Sequence, residues 1–177
     1  MIIWFTGLSG SGKTTLSHRL KGKLEKAGFS VFQVDGDTFR KKKKIKNTFS
    51  RKEILENNYN IISYCQSLQK KYDFIIVSVI SPLQETRQRA KEIFKKDYLE
   101  IFLYCPIEEL LKRDPKKLYK RALAGEVKNL IGFSDQNPYE IPKKPNLMID
   151  TSKDNIEESL RKIKALIKKN NNILISW

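Results

Sequence analysis

Histidine, cysteine and long apolar runs are nearly missing from this chain. One histidine and two cysteines, Cys65 and Cys105, leave nothing for a multi-histidine metal site, a four-cysteine zinc site or a disulfide framework. An enzyme built from this sequence would take its general base from a carboxylate. No apolar run nears the ~20 residues that span a bilayer, and Met1-Ile2-Ile3-Trp4 lacks the basic start of a secretory signal. A cytoplasmic protein with no membrane partner is the expectation. Glycine (8) and proline (6) are scarce, which excludes collagen-like and low-complexity classes. Acid is also short: 20 Asp+Glu stand against 35 Lys+Arg, a net charge of +15 that calls for an anionic partner. A nucleic-acid backbone, a membrane surface and a phosphorylated small molecule all meet that demand, and lysines scattered in pairs and short runs do not choose among them. The 177 residues, 40% hydrophobic, suit a single domain with its own core.

Strand and helix patterns alternate along the chain. Residues 2–6 form a short apolar run stopped by Gly7, which reads as a strand buried on both faces. From Thr14 to about Ala27, Leu16, Leu20 and Leu24 recur at helical spacing, with Gly28 where a C-cap belongs. Residues 30–34 read as a second strand running into Asp35-Gly36-Asp37, and residues 41–48 as a basic loop. Ser50 reads as the N-cap of a helix with Glu53 at N3, running to about Lys71. Residues 73–80 predict a central strand closed by Ser81-Pro82, 84–94 a helix, 98–104 a fourth strand, 107–111 a short helix, 147–149 a fifth strand and 154–168 a last helix. The alternation predicts an α/β fold of three layers around a mostly parallel sheet with right-handed crossovers. Between Arg113 and Pro145 lies a polar stretch too long for an ordinary connection, with five of the six prolines in or near it, and it reads as a lid over about 113–140.

Two motifs carry chemistry. Gly7-Leu8-Ser9-Gly10-Ser11-Gly12-Lys13-Thr14 fits G-x-x-x-x-G-K-[ST] between a predicted strand and a predicted helix. Glycines there let backbone N–H groups wrap a phosphate chain at the positive end of a helix. Lys13 would reach the β- and γ-phosphates of ATP, and the Thr14 hydroxyl would ligate Mg²⁺. Gly7, Ser9, Gly10, Ser11, Gly12 and Thr15 complete the expected phosphate site. Asp35-Gly36-Asp37 falls at the end of the second strand, on the side of the sheet where the phosphate loop opens, so its two carboxylates could divide proton acceptance and metal support. The same three residues also suit an ordinary turn and cap.

Together with Arg40, Ile80-Ser81-Pro82, the run Arg113 to Ala122, Gly125-Glu126-Val127-Lys128-Asn129 and Asn137-Pro138-Tyr139-Glu140-Ile141-Pro142, these motifs resemble the adenylylsulfate kinases, P-loop enzymes that phosphorylate the ribose 3′-hydroxyl of adenosine 5′-phosphosulfate. The resemblance covers about residues 2–168 and implies a three-layer P-loop kinase fold with a lid. It implies that Asp37 accepts the 3′-hydroxyl proton and that Asp35 supports the Mg²⁺ shell. Arg40, Asn57, Phe49, Lys120 and Lys128 fall at acceptor-binding positions, and Arg113 at a phosphate-binding one. Ser81 matches a serine lining the acceptor site, sometimes assigned a phosphorylated intermediate; a direct in-line transfer needs none. A homodimer with a small-molecule nucleotide acceptor is implied, and no nucleic-acid partner.

Departures cluster on the acceptor side. The family's Phe-Ser-x-x-Asp-Arg-x-x-Asn is here Phe49-Ser50-Arg51-Lys52-Glu53-Ile54-Leu55-Glu56-Asn57, so an apolar side chain replaces the arginine that grips the phosphosulfate. The family's Asn-Phe-Thr-Gly is Asn129-Leu130-Ile131-Gly132, which puts Leu130 where a phenylalanine stacks on adenine, and Ser-Pro-Tyr-Arg is Ser81-Pro82-Leu83-Gln84. These changes direct the expectation to cytidine diphosphoramidate, the acceptor of one family branch, used in capsule phosphoramidate biosynthesis. The alternative is an adenylylsulfate kinase in which Arg51 or a loop lysine has taken over the lost grip. A non-catalytic nucleotide or nucleic-acid binder is a further alternative, opposed by both carboxylates and by the lack of a recognition helix or stacking platform. Lys41 to Lys44 would steer anions or sit as a solvated loop, His18 would be a surface residue, Cys65 and Cys105 inert thiols, and Tyr119 and Tyr139 packing residues of the lid.

Overall fold

The computed structural model describes residues 1–42 and 50–171. Phe49 and the larger part of the expected basic loop, 43–48, therefore lie outside the described residues. Five parallel strands, β1 (Ile2–Thr6), β2 (Val31–Asp35), β3 (Phe74–Ser78), β4 (Tyr98–Tyr104) and β5 (Leu147–Asp150), form one sheet in the order β2-β3-β1-β4-β5. β1 sits in the middle, with Ile2 in register with Ile75 on one side and Tyr98 on the other.

That position explains its composition, because a central strand between two helical layers can bury every residue. Ile3 and Phe5 face Leu16, Leu20 and Leu24 of helix α1 (Lys13–Lys26) and Leu160, Ile163 and Ile167 of helix α7 (Ile156–Asn171). Ile2 and Trp4 face Ile61, Ile62 and Cys65 of helix α3 (Arg51–Leu68), with Ala90 and Phe94 of helix α4 (Gln84–Phe94). The three layers follow from this period-two division. Local signals fix the helix ends: the Ser50 hydroxyl accepts from the Glu53 N–H at 3.3 Å, and Gly28 at φ +90° lets the Phe29 N–H reach Leu24 O at 3.1 Å. Cys65 and Cys105 are buried thiols, and burial pushes the Cys65 thiol up to about 12.

Two helices were not expected. Helix α2 (Gly36–Lys42) begins inside Asp35-Gly36-Asp37, because Asp35 Oδ1 accepts from the N–H groups of Asp37 and Thr38 at 3.1 Å each and so caps it. It also takes in Lys41 and Lys42, which the sequence had placed in a loop. Helix α5 (Ile107–Arg113) is followed by helix α6 (Leu118–Leu123), which lies within the polar stretch read as a lid. α6 is held by a small core of its own, in which Tyr119 and Leu130 pack with Leu110, Cys105 and, from the phosphate loop, Leu8. No helix among the described residues is long and apolar enough to cross a membrane.

Candidate active site

Ligand sites of open parallel sheets form beyond the carboxyl ends of the strands, where the order reverses. Here β1 delivers the chain into the loop Gly7–Gly12 at that point, and α1 begins at Lys13. The loop is shaped by close approach. A Cβ at Gly7, which sits at φ +147°, would lie 2.5 Å from Leu103 O and 2.8 Å from Ser11 Oγ. Gly10 and Gly12 also take positive φ, +79° and +90°. Ser9 and Ser11 are buried, and the Tyr119 hydroxyl donates to Ser9 O at 2.9 Å, so the small core around α6 is fastened directly to the loop.

Lys13 turns back into this loop. Its Nζ donates to Gly7 O at 2.9 Å and Leu8 O at 2.7 Å, and lies 3.4 Å from Ser11 Oγ. Burial first, and then the Lys116 charge, lower its ammonium to about 7, while Asp37 and Asp35 act in the opposite sense. Thr14 Oγ1 lies 3.4 Å from Asp35 Oδ2, and the Ser78 hydroxyl donates to the same oxygen at 3.2 Å. One hydroxyl and one carboxylate side by side are the modest protein contribution that Mg²⁺ accepts when phosphates and waters complete its octahedron. Among the described residues no cluster of three or more His, Cys, Asp or Glu offers a self-sufficient metal cage.

Asp37 stands beside this pair, with Arg40 on one of its oxygens and Lys116, reaching in from the connection between α5 and α6, on the other. Burial would raise the Asp37 carboxyl, but the Lys116 hydrogen bond and the charges of Lys116, Arg40 and Lys13 outweigh it and hold it below the ordinary carboxylate range. On the other flank of the loop opens a cavity of about 900 Å³ lined by Gly10, Gly12, Thr15, Arg113, Thr151 and Asn155, a volume that suits a nucleotide. Arg113 is positioned there by Thr151 O at 2.8 Å, Thr151 Oγ1 at 3.2 Å and Glu109.

The structure thus brings Lys13, Thr14, Asp35, Asp37 and Arg40 together and places Gly10, Gly12, Thr15 and Arg113 around one cavity. It places others differently. Ser81 is 2% exposed, at φ +44°, with its Oγ 3.2 Å from Thr86 Oγ1, so its hydroxyl faces a packed neighbour. Asn57 is buried, and its Oδ1 has no hydrogen-bond partner among the described residues. Leu130, 3% exposed, belongs to the small core around α6, whereas Lys120 and Lys128 are exposed. Ile54, Leu83 and Ile131, three of the departures, meet in one apolar cluster flanked by Ile80 and Tyr139. Arg51, 60% exposed, donates to Glu85 Oε1 at 2.7 Å and lies 3.8 Å from Glu140 Oε1. Lys116 lies in the run Arg113 to Ala122, and nothing in its place in the sequence points to Asp37 as its partner. Thr151 and Asn155 carried no signal beyond their place just after the last strand.

A parallel sheet in this strand order, with G-x-x-x-x-G-K-T between its central strand and the next helix, defines a P-loop nucleotide-binding protein. The profile of the adenylylsulphate kinase family matches residues 1–150. The chain is 37% identical over 171 residues to a probable adenylyl-sulfate kinase of Aeropyrum pernix, covering 95% of this chain and 92% of that one. It is 36% identical over 167 residues to the adenylyl-sulfate kinase of Clostridium acetobutylicum, covering 94% and 82%. The fold superposes with a TM-score of 0.87 on Mycobacterium tuberculosis APS kinase CysC in complex with AMPPNP and APS, at 32% identity over 94% of this chain and 96% of that one. The chain belongs to the adenylylsulphate kinase family and is an ATP-dependent kinase.

Proposed function

We propose that the chain transfers the γ-phosphoryl group of ATP to the ribose 3′-hydroxyl of adenylyl sulfate. The observation that carries the reading is the placement of Asp37 beside the Lys13–Thr14 phosphate loop, bracketed by Arg40 and Lys116. The names of the relatives support the acceptor. In the transfer the 3′-oxygen bonds to the γ-phosphorus as the bond to the β–γ bridging oxygen breaks, and the hydroxyl proton passes to an Asp37 oxygen. Lys13 leaves its loop carbonyls for the β- and γ-phosphates and balances charge that grows on the bridging oxygen. Thr14 and Asp35 fit a magnesium ion, which when bound neutralises phosphate charge. Arg113 and the cavity beside it hold the nucleoside of ATP, and Lys116 moves from Asp37 to phosphate as the acceptor enters.

A specific observation favours cytidine diphosphoramidate as a second acceptor reading. Ile54, Leu83 and Ile131 close into an apolar cluster at positions where the family motifs carry an arginine, a tyrosine and a threonine, and Arg51 is already neutralised by Glu85 and Glu140. A sulfate oxygen gains nothing from such a wall, and each missing charged hydrogen bond removes about 1.5–3 kcal/mol. The test is kcat/KM with ATP for the two acceptors side by side. Preference for adenylyl sulfate sustains the proposal; a preference of tenfold or more for the phosphoramidate, about 1.4 kcal/mol, replaces it with the capsule-precursor reading.

A further inference from the structure

Arg87, on α4, is 1% exposed, and it meets the acceptor side through the backbone of Ser81 and the side chain of Gln84. Its Nη1 donates to Ser81 O at 2.6 Å, and its Nη2 to Gln84 Oε1 at 2.8 Å and Glu140 O at 2.5 Å. Its Nε lies 3.1 Å from Glu100 Oε1 of β4, and its guanidinium sits 5.8 Å from the Tyr139 ring centroid. Tyr139 stacks on Phe102 at 5.9 Å and shares a hydrogen bond with Thr6 Oγ1 at 2.8 Å; Thr6 in turn donates to Ile80 O at 2.6 Å. Thr6 is the last residue of β1 before the phosphate loop.

Three pieces of chain meet at this guanidinium: the Ser81–Gln84 turn on the acceptor side, the trailing end of the lid at Tyr139–Glu140, and, through Tyr139, the root of the phosphate loop. A buried ion pair is an expensive way to hold a fold together, since well-packed apolar side chains do the same without desolvating two charges. What apolar side chains cannot do is fix several carbonyl oxygens from different segments in one plane, which the rigid guanidinium fork does. One of those carbonyls belongs to Ser81, whose left-handed backbone is strained for a non-glycine residue.

We propose that Arg87 is a positioning residue that couples the donor side to the acceptor side: it clamps the Ser81 turn to the end of the lid, so that nucleotide binding at the phosphate loop sets the acceptor loop. The proposal rests on the kinase class of the chain and not on which acceptor it uses.

Hydrogen exchange with and without a non-hydrolysable ATP analogue reads the coupling with no acceptor present. In the wild type the analogue raises protection at 80–84 and 139–141. In Arg87→Met the analogue binds within about twofold of wild type, yet protection at 80–84 no longer responds; Arg87→Lys restores part of the response. With the acceptor the wild type turns over, acceptor KM rises about tenfold in Arg87→Met while ATP KM stays within about twofold, a split that general loss of stability does not produce. Tyr139→Phe removes only the hydroxyl bond to Thr6, keeps the fold, and weakens the same response, which covers the case of an Arg87→Met chain that does not fold. Transmission of the analogue's effect to 80–84 in the Met variant, an undiminished response in the Phe variant, or equal changes in both KM values overturns the proposal.

Discussion

Lys13 holds its charge in a place that resists charge until phosphate arrives. In the nucleotide-free chain its ammonium is lowered from 10.5 to about 7, by burial above all and by Lys116. Bound phosphates supply the missing counter-charge and return the group to full protonation, so nucleotide binding above neutral pH takes up a proton. With a value of about 7, roughly one Lys13 in ten is protonated at pH 8, giving an uptake of about 0.9 proton per nucleotide there, about 0.5 at pH 7 and about 0.1 at pH 6. Isothermal calorimetry of an ATP analogue in two buffers of different ionisation enthalpy measures this count directly. The arm at pH 8 and above is free of interference from the terminal phosphate, whose own proton is lost near ~6. Lys13→Arg, charged at every pH used, takes up none. The sign for stability follows from the same shift: the folded value is below the unfolded one, so the unfolded chain binds more protons between about 7 and 10.5, and nucleotide-free stability rises with pH across that window. An uptake at pH 8 below about 0.2 proton, with the analogue bound, refutes the assignment of a desolvated, phosphate-rescued Lys13.

Two further outcomes follow from the same geometry. Asp37→Asn keeps the shape of the side chain but removes the base, so turnover falls by about 10²–10⁴ while the variant stays folded; in the wild type the acid limb of kcat/KM lies below the ordinary carboxylate range, because activity is lost only as pH falls through the lowered Asp37 value. Near wild-type turnover in the variant would falsify the base assignment. The lid, 113–140, gains exchange protection when an ATP analogue binds, with the smallest gain around Tyr119, whose hydroxyl is already bonded to Ser9 O; equal protection in both states refutes closure.

What the sequence disclosed is what is written locally. The phosphate loop is a covalent pattern of eight consecutive residues, and the N-cap at Ser50 and the C-cap at Gly28 are short-range hydrogen bonds. β1 and β3 announce themselves because both faces are buried, which leaves no polar alternation to confuse the reading. α2 escaped because Asp-Gly-Asp serves a turn and a helix cap equally well, and only the capping bonds of Asp35 decide. α6 escaped because its stability comes from Tyr119 and Leu130 meeting Leu8 and Leu110 across a long separation, not from its own composition. Within the site, Lys13, Asp35 and Asp37 were legible by motif. Lys116 was not, since its partner Asp37 is brought to it by topology alone. Arg87 reads as one more solvated arginine on a polar helix, and nothing short of the fold reveals that it is buried against Glu100. The departures at Ile54, Leu83 and Ile131 were visible one by one; that they form a single cluster was not.

The central place of β1 has a consequence for synthesis. Of the five strands of this sheet Ile2–Thr6 is made first, yet its two neighbours are the third and the fourth. At about 5–20 residues per second, both edges of this apolar ribbon stay unpaired for several seconds, and the second edge for on the order of 5–20 s, until β4 has emerged. Throughout that interval the turn at Gly7 lacks Leu103, whose carbonyl packs against it in the finished fold. In that window α1 can cover the Ile3 and Phe5 face of the strand and α3, also made before β3, the Ile2 and Trp4 face, so both faces can be shielded while the edges wait.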